Sequence, residues 1–165
     1  MTLRPAQGER RLRILVDADA CPVKDEIYRV AARHGAAVVV VSNAPIRVPE
    51  LPWLSRVVVS GAFDAADDWI AAAADAGCVV VTGDILLADR CLKAGAVVLA
   101  PTGKPFTASS IGGAIATRAI MADLRAGAAG LSGGPKPFAK TDRSRFLEAL
   151  DAALVRLART TAAQP

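Results

Sequence analysis

The ten residues Asp75-Ala76-Gly77-Cys78-Val79-Val80-Val81-Thr82-Gly83-Asp84 hold a glycine stop, a short valine-rich run and an acid just beyond it. Glycine takes the left-handed backbone conformation that ends a helix, and a brief, wholly apolar run is what a strand covered on both faces requires. The same order recurs in Arg33-His34-Gly35-Ala36-Ala37 ahead of Val38 to Val41, and in Lys93-Ala94-Gly95-Ala96 ahead of Val97 to Leu99. Working outward from these units, the spacing predicts strands at 12–16, 37–41, 56–59, 78–82 and 97–100, with helices at 22–34, 64–76 and 85–94. Helices that alternate with buried strands imply an α/β fold with a central, mostly parallel sheet flanked by helices. After Pro101 the pattern changes: residues 110–126 and 143–159 are expected to be helical, the second with Phe146, Leu150, Leu154 and Leu157 on one stripe. The stretch from Gly127 to Thr141, with its repeated Gly and Pro, is expected to be a loop.

The chain has 165 residues, enough for one domain that buries roughly 70% of its unfolded surface. Residues 1–11 are expected to form a flexible basic tail, 12–159 a single domain and 160–165 a second flexible tail. Although 53% of residues are hydrophobic, the apolar runs stop well short of the ~18 residues a membrane helix needs. The arginine-rich first residues lack the apolar stretch of an export signal, so a cytoplasmic location without membrane partners is expected. Cys21, Cys78 and Cys91 are odd in number and form no CxxC pair, which points to buried packing rather than disulfides or structural zinc. His34, the sole histidine, sits at a predicted helix C-terminus and is given no catalytic role. Net charge is distributed unevenly: +3 over residues 1–13, −4 over 14–100 and +5 over 101–165.

Ligands of open α/β sheets bind beyond the carboxyl ends of the strands, and here those ends are acidic. The first strand runs into Asp17-Ala18-Asp19, whose two-residue spacing would point both carboxylates to one side. The fourth runs into Thr82-Gly83-Asp84, with Asp89 beyond it, and Asp64, Asp67 and Asp68 fall at the spacing of one helix face. Aspartate is also a favoured helix N-cap, which would explain Asp64 or Asp84 without any ligand. No such account covers Asp17 and Asp19. Converging carboxylates repel by about 4 kcal/mol per pair at ~4 Å and an effective dielectric near 20, so either a raised pKa or a bound cation must offset them. Oxygen donors favour Mg²⁺ or Mn²⁺.

The run Val16-Asp17-Ala18-Asp19-Ala20-Cys21-Pro22-Val23, followed in order by Val41-Ser42-Asn43, Gly61-Ala62-Phe63-Asp64-Ala65-Ala66-Asp67, Thr82-Gly83-Asp84-Ile85-Leu86-Leu87-Ala88 and Gly133-Gly134-Pro135, resembles the bacterial YaiI/YqxD family. That family in turn resembles a branch of the PIN-like nucleases. The resemblance implies a three-layer PIN-like fold in which Asp17, Asp67 and Asp84 hold Mg²⁺ or Mn²⁺ and Asp89 is a fourth, more variable acid. It implies support from Asn43, Asp64, Thr82 and the Gly133-Gly134-Pro135 loop. The middle acid departs from the PIN pattern in being Asp rather than the commoner Glu, and the Gly-Gly-Pro loop is not a feature of typical PIN enzymes.

The leading expectation is divalent-metal-dependent phosphodiester hydrolysis, with RNA as the partner. Asp17 and Asp84 would bind the metal, Asp67 and Asp89 would complete or orient its shell, and Asp19 would position a water or second ion. Arg118, Lys136, Lys140 and Arg143, from the basic last third, are candidates to hold the substrate backbone. Two alternatives stand beside it. One is a metal- or nucleic-acid-binding module without catalysis. The other is an aspartate-nucleophile phosphohydrolase built on Asp17-Ala18-Asp19, although no lysine lies between Lys24 and Lys93 to complete that motif set.

Overall fold

The computed structural model describes residues 12–162 apart from 20, 63 and 128–136. Gly133, Gly134, Pro135 and Lys136 therefore lie outside the described residues, as do the expected tail 1–11 and residues 163–165. Strand β1 (Arg13–Asp17) is central, with β2 (Ala37–Ser42) on one side and β4 (Cys78–Val81) on the other. The six-stranded sheet has the order β3-β2-β1-β4-β5-β6, with β3 at Leu54–Val58, β5 at Val97–Leu99 and β6 at Pro105–Phe106. All pairings are parallel except that of β6, which returns antiparallel along β5. From β1 the chain moves outward to β2 and β3, then crosses back to β4. The carboxyl ends of β1 and β4 thus flank the point where strand order reverses, the usual crevice of an open sheet.

Alternation along each strand sends its side chains to two cores. Ile14, Val16, Val38, Val40, Val79 and Val81 meet α1 (Lys24–His34) and α5 (Lys140–Ala162), whose Phe146, Leu150 and Leu154 form the predicted stripe. Leu15, Val41, Val80 and Val98 meet α2 (Ala65–Ala73), α3 (Ile85–Lys93) and the start of α4 (Ala108–Gly127). Helices on both faces of the sheet make three layers. Helix α1 ends at Gly35, which has the positive φ of 64° its glycine predicted. The three cysteines are buried and unpaired.

Two boundaries move for identifiable reasons. Helix α2 stops at Ala73 because Asp75 turns its carboxylate onto the Gly77 amide and the Arg13 guanidinium, drawing the chain out of the helix. Helix α5 runs from Lys140 to Ala162, longer than its apolar stripe at both ends, so part of the expected second tail is helical. The parallel β2–β3 connection, residues 43–53, contains no helix. Pro45, Pro49 and Pro52 forbid one, and the connection covers the sheet instead with Ile46, Val48 and Trp53 packed against the α1/α5 core. Among the described residues no helix is long and apolar enough to cross a membrane.

Candidate functional site

Asp17 closes β1 and, by alternation, shares a side with Leu15, the side covered by α2 and α3. Register places Val16 beside Val81, so Thr82 lies next to Asp17. The Thr82 hydroxyl donates to Asp17 Oδ2 at 2.8 Å, and its oxygen accepts from the Asp84 amide at 3.0 Å. Asp84 is the N-cap of α3, its Oδ1 accepting from the amides of Leu86 and Leu87 at 2.9 and 3.3 Å. Capping and facing Asp17 are not exclusive, because one carboxylate oxygen does the first and leaves the other free. Asp67, on the first turn of α2, completes this side. Asp64 takes the N-cap position of α2 but makes no side-chain cap bond, and its charge bears on Asp67.

Asp19 goes elsewhere. The strand ends at Asp17, so the two-residue alternation no longer applies, and Asp19 turns toward β2, where Asn43 Nδ2 donates to its Oδ2 at 3.1 Å. Asn43 Oδ1 is buried without a partner among the described residues. Asp68 and Asp89, which spacing alone groups with the others, are held by cations: Asp68 by Arg90 at 2.9 Å and Asp89 by Lys93 at 2.9 Å, one helical turn along.

Electrostatics ties the remaining acids together. Burial pushes Asp17 up to about 6, with the Thr82 hydrogen bond opposing and the charges of Asp67, Asp19 and Asp84 adding to the rise. Asp67 is raised by burial and then by Asp84 and Asp64, against the pull of Arg90. Among the described residues, no three acidic, histidine or cysteine side chains converge closely enough to hold a metal ion by themselves. The donors are nevertheless of one kind, carboxylate and amide oxygen, which suits a hard cation that keeps several of its waters, as Mg²⁺ does.

The expected substrate-holding cations behave differently from one another. Arg143 is committed: its Nη1 donates to the Pro22 carbonyl at 2.6 Å and to Glu26 Oε1 at 3.2 Å, and its guanidinium lies 4.9 Å from the Phe138 ring centroid. It fastens α5 to the loop after Asp19 rather than reaching for solvent. Lys140 is exposed at the start of α5, and Arg118 is exposed along α4.

Fold and site together define an α/β protein whose crevice at the strand-order reversal is lined with unneutralised acids. The family model described as "Uncharacterized BCR, YaiI/YqxD family" matches residues 15–156, and the chain belongs to that family. It is 74% identical over 146 residues to a "UPF0178 protein" of Sphingopyxis alaskensis, covering 88% of this chain and 95% of that one. Similar proteins of that name occur in Nitrobacter winogradskyi, 56% identical over 153 residues (93% and 97% covered), and Bradyrhizobium diazoefficiens, 59% over 147 residues (89% and 87%). No solved structure matches the chain.

Proposed function

We propose that the chain is a divalent-cation-dependent phosphodiester hydrolase of the ribonuclease kind, working at the carboxyl edge between β1 and β4. One observation carries this reading. Among the described residues the partly buried acids are Asp17, Asp67 and Asp84, which gather at the crevice without an ion-pair partner, Glu26, Asp89 and Asp151, which each have one, and Asp142, which accepts from the Ala139 amide. Away from the crevice three of these four partly buried acids have a neutralising cation, and at the crevice none of the three does.

Unpaired carboxylates near one another destabilise the fold on their own, and proteins keep such arrangements where function needs them. Asp17, Asp67 and Asp84 would hold Mg²⁺ or Mn²⁺, with Thr82 fixing the Asp17 carboxylate through its hydroxyl. Asp19, steadied by Asn43, would orient a water at the rim. A bound Mg²⁺ or Mn²⁺ activates water and neutralises charge that develops on a phosphate. Asp89, paired with Lys93, would support α3 beneath the capping turn.

The test is hydrolysis of a labelled oligoribonucleotide in millimolar Mn²⁺ and in EDTA, by the wild type and by Asp17→Asn. Cleavage is expected only with the cation and only in the wild type. An equal rate in EDTA would overturn the proposal, and phosphate trapped on Asp17 would make it a nucleophile instead.

A further inference from the structure

Edge strand β3 carries an open row of backbone donors and acceptors. Val38 donates its amide to the Trp53 carbonyl, and Val59 donates its amide to the Ser42 carbonyl. In a parallel ladder of that register, Ser55 and Val57 turn their backbone groups to β2, while Leu54, Arg56 and Val58 turn theirs outward. The Leu54 amide donates to the Leu51 carbonyl, but the amides of Arg56 and Val58 and the carbonyls of Leu54 and Arg56 have no partner among the described residues. An edge of this kind is either blunted or used to bind an extended chain. The geometry points to β3 as the docking edge for an extended peptide segment that carries an acidic residue with an apolar residue two positions to either side.

Side chains set the pattern of that segment. Alternation puts Leu54, Arg56 and Val58 on one face, where Leu54 joins the α1/α5 core with Ile46, Val48 and Trp53 of the β2–β3 connection. The connection and β3 enclose a cleft of about 630 Å³ there, whose wall includes Leu51, Pro52 and Leu54 with Arg47, Glu50 and Arg56. In an antiparallel addition, the residue opposite Arg56 exchanges both backbone bonds with it and sends its side chain to the same face, about 5.5 Å from Cα to Cα. A carboxylate at that place meets the Arg56 guanidinium, which spends Nη1 on the Ile46 carbonyl at 2.6 Å and keeps the rest of its fork. Arg47 has no partner among the described residues and stands on the same wall. The residues two before and two after the acid oppose Leu54 and Val58. Val58 is 46% exposed, and Leu51, beside Leu54, is 37% exposed, so both flanking positions have apolar surface to cover.

Charge decides between an acidic segment and a second copy of this chain. Arg56 is the middle residue of the five in β3, so two-fold pairing of the strand with itself sets two Arg56 side chains directly opposite each other, and like charges so placed destabilise a pair. The wall holds one acid, Glu50, against two guanidiniums, which leaves a cation in excess for a partner to neutralise. It holds no aromatic ring on which a nucleobase could stack, which favours peptide over single-stranded nucleic acid. The edge is separate from the acidic crevice. Leu54, Arg56 and Val58 face the side of α1 and α5, whereas Asp17 faces α2 and α3, so the inference does not rest on the hydrolase reading.

The experiment is fluorescence-anisotropy binding of a labelled, end-capped peptide, Thr-Val-Thr-Glu-Thr-Val-Thr, to the full chain in EDTA. Further peptides carry Gln, Lys or N-methylglutamate at the centre, so the protein itself is unchanged across the series. The Glu peptide is expected to bind about tenfold more tightly than the Gln peptide, with the Lys peptide weaker still. N-methylation removes the amide that would donate to the Arg56 carbonyl and should cost about fivefold. Two variants test the protein side: Arg47→Ala should weaken the Glu peptide, and Val58→Pro should do so by about tenfold, since it deletes an outward amide without touching the β2 ladder. Equal affinity for the Glu, Gln and Lys peptides, or no binding of any of them by the wild type, would overturn the inference. Sedimentation showing a wild-type dimer that Val58→Pro abolishes would overturn it too, because the edge would then belong to a second copy. A ribo-oligonucleotide of about ten nucleotides that displaces the Glu peptide and loses its grip in Arg47→Ala would give the wall to nucleic acid instead. No cleavage is measured, so failure of the hydrolase reading and failure of this one are read separately.

Discussion

The two edges of the same sheet treat their acids in opposite ways. At the amino edge, Asp75 is met by Arg13 at 2.8 Å and Asp151 by His34 at 2.6 Å, with Arg33 beside it. Burial pushes Asp75 up, but hydrogen bonds from Cys78 and Gly77 and the charge of Arg13 outweigh it, and Asp151 is lowered chiefly by its hydrogen bond with His34. At the carboxyl edge, Asp17 and Asp67 are both raised. Packing alone does not require this difference, because Asp17 could be a valine like its strand neighbours at lower electrostatic cost. The named acids of the amino edge are thus neutralised, whereas at the carboxyl edge Asp68 and Glu26 are paired and Asp17 and Asp67 are not, a contrast that supports the proposed site.

The largest effect that separates the edges is catalytic. Asp17→Asn should lower Mn²⁺-dependent cleavage by at least roughly 100-fold, whereas Asp151→Asn should leave the rate within about twofold, since a surface pair far from the crevice contributes only ~0.2–1 kcal/mol of stability. Steady-state rates of the two purified variants check this, and equal losses would erase the distinction between the edges.

Metal-free stability should move in opposite directions. In EDTA at neutral pH, Asp17→Asn should stabilise by about 1–2 kcal/mol after allowance for solvent screening, and Asp75→Asn should destabilise by up to ~1 kcal/mol. The pH profile sharpens the contrast. A carboxyl raised from 3.8 to about 6 burdens the folded state only when ionised, so wild-type stability should fall relative to Asp17→Asn as pH rises from about 4 to above 6, and stay level beyond. Asp151 has the reverse sign: its contribution is present at neutral pH and is lost as pH falls through the acid range. Urea titrations at intervals across this range would show the two trends crossing.

Thr82→Val should give the smallest effect, a loss of about 1 kcal/mol from removal of the hydrogen bond to Asp17 and of the hydroxyl that receives the Asp84 amide. The Asp17 carboxyl should then titrate higher still, because the hydrogen bond that lowers it is gone. Carboxylate resonances followed by NMR would check the direction.

Much of the carboxyl edge is legible in the chain because strands buried on both faces announce themselves as valine runs and the acids follow at once. The glycine stop at Gly35 locates a helix end, and Phe146, Leu150 and Leu154 locate the packed face of α5. Other features leave no such trace. Strand β6 is Pro105–Phe106 alone, too short for any alternation to register. Edge strand β3 begins at Leu54, two residues before its expected start, because exposed Ser55 and Arg56 break the apolar run that marks a covered strand. Spacing groups Asp68 with Asp64 and Asp67, but it cannot foresee that Arg90, on another helix, claims it. The basic last third suggests Arg143 as a phosphate ligand, yet its partners Pro22 and Glu26 are more than a hundred residues away in sequence.

The most direct test of the central claim is a set of four denaturation curves: wild type and Asp17→Asn, each in EDTA and in excess Mn²⁺. A cation bound only by the folded state should stabilise the wild type by about 2.7 kcal/mol at a hundredfold excess over Kd, a rise of roughly 5–10 °C in Tm. The variant should start higher in EDTA and gain little from Mn²⁺. Equal Mn²⁺-induced gains in the two proteins, or none in the wild type, would contradict the assignment of the unpaired acids as a cation site.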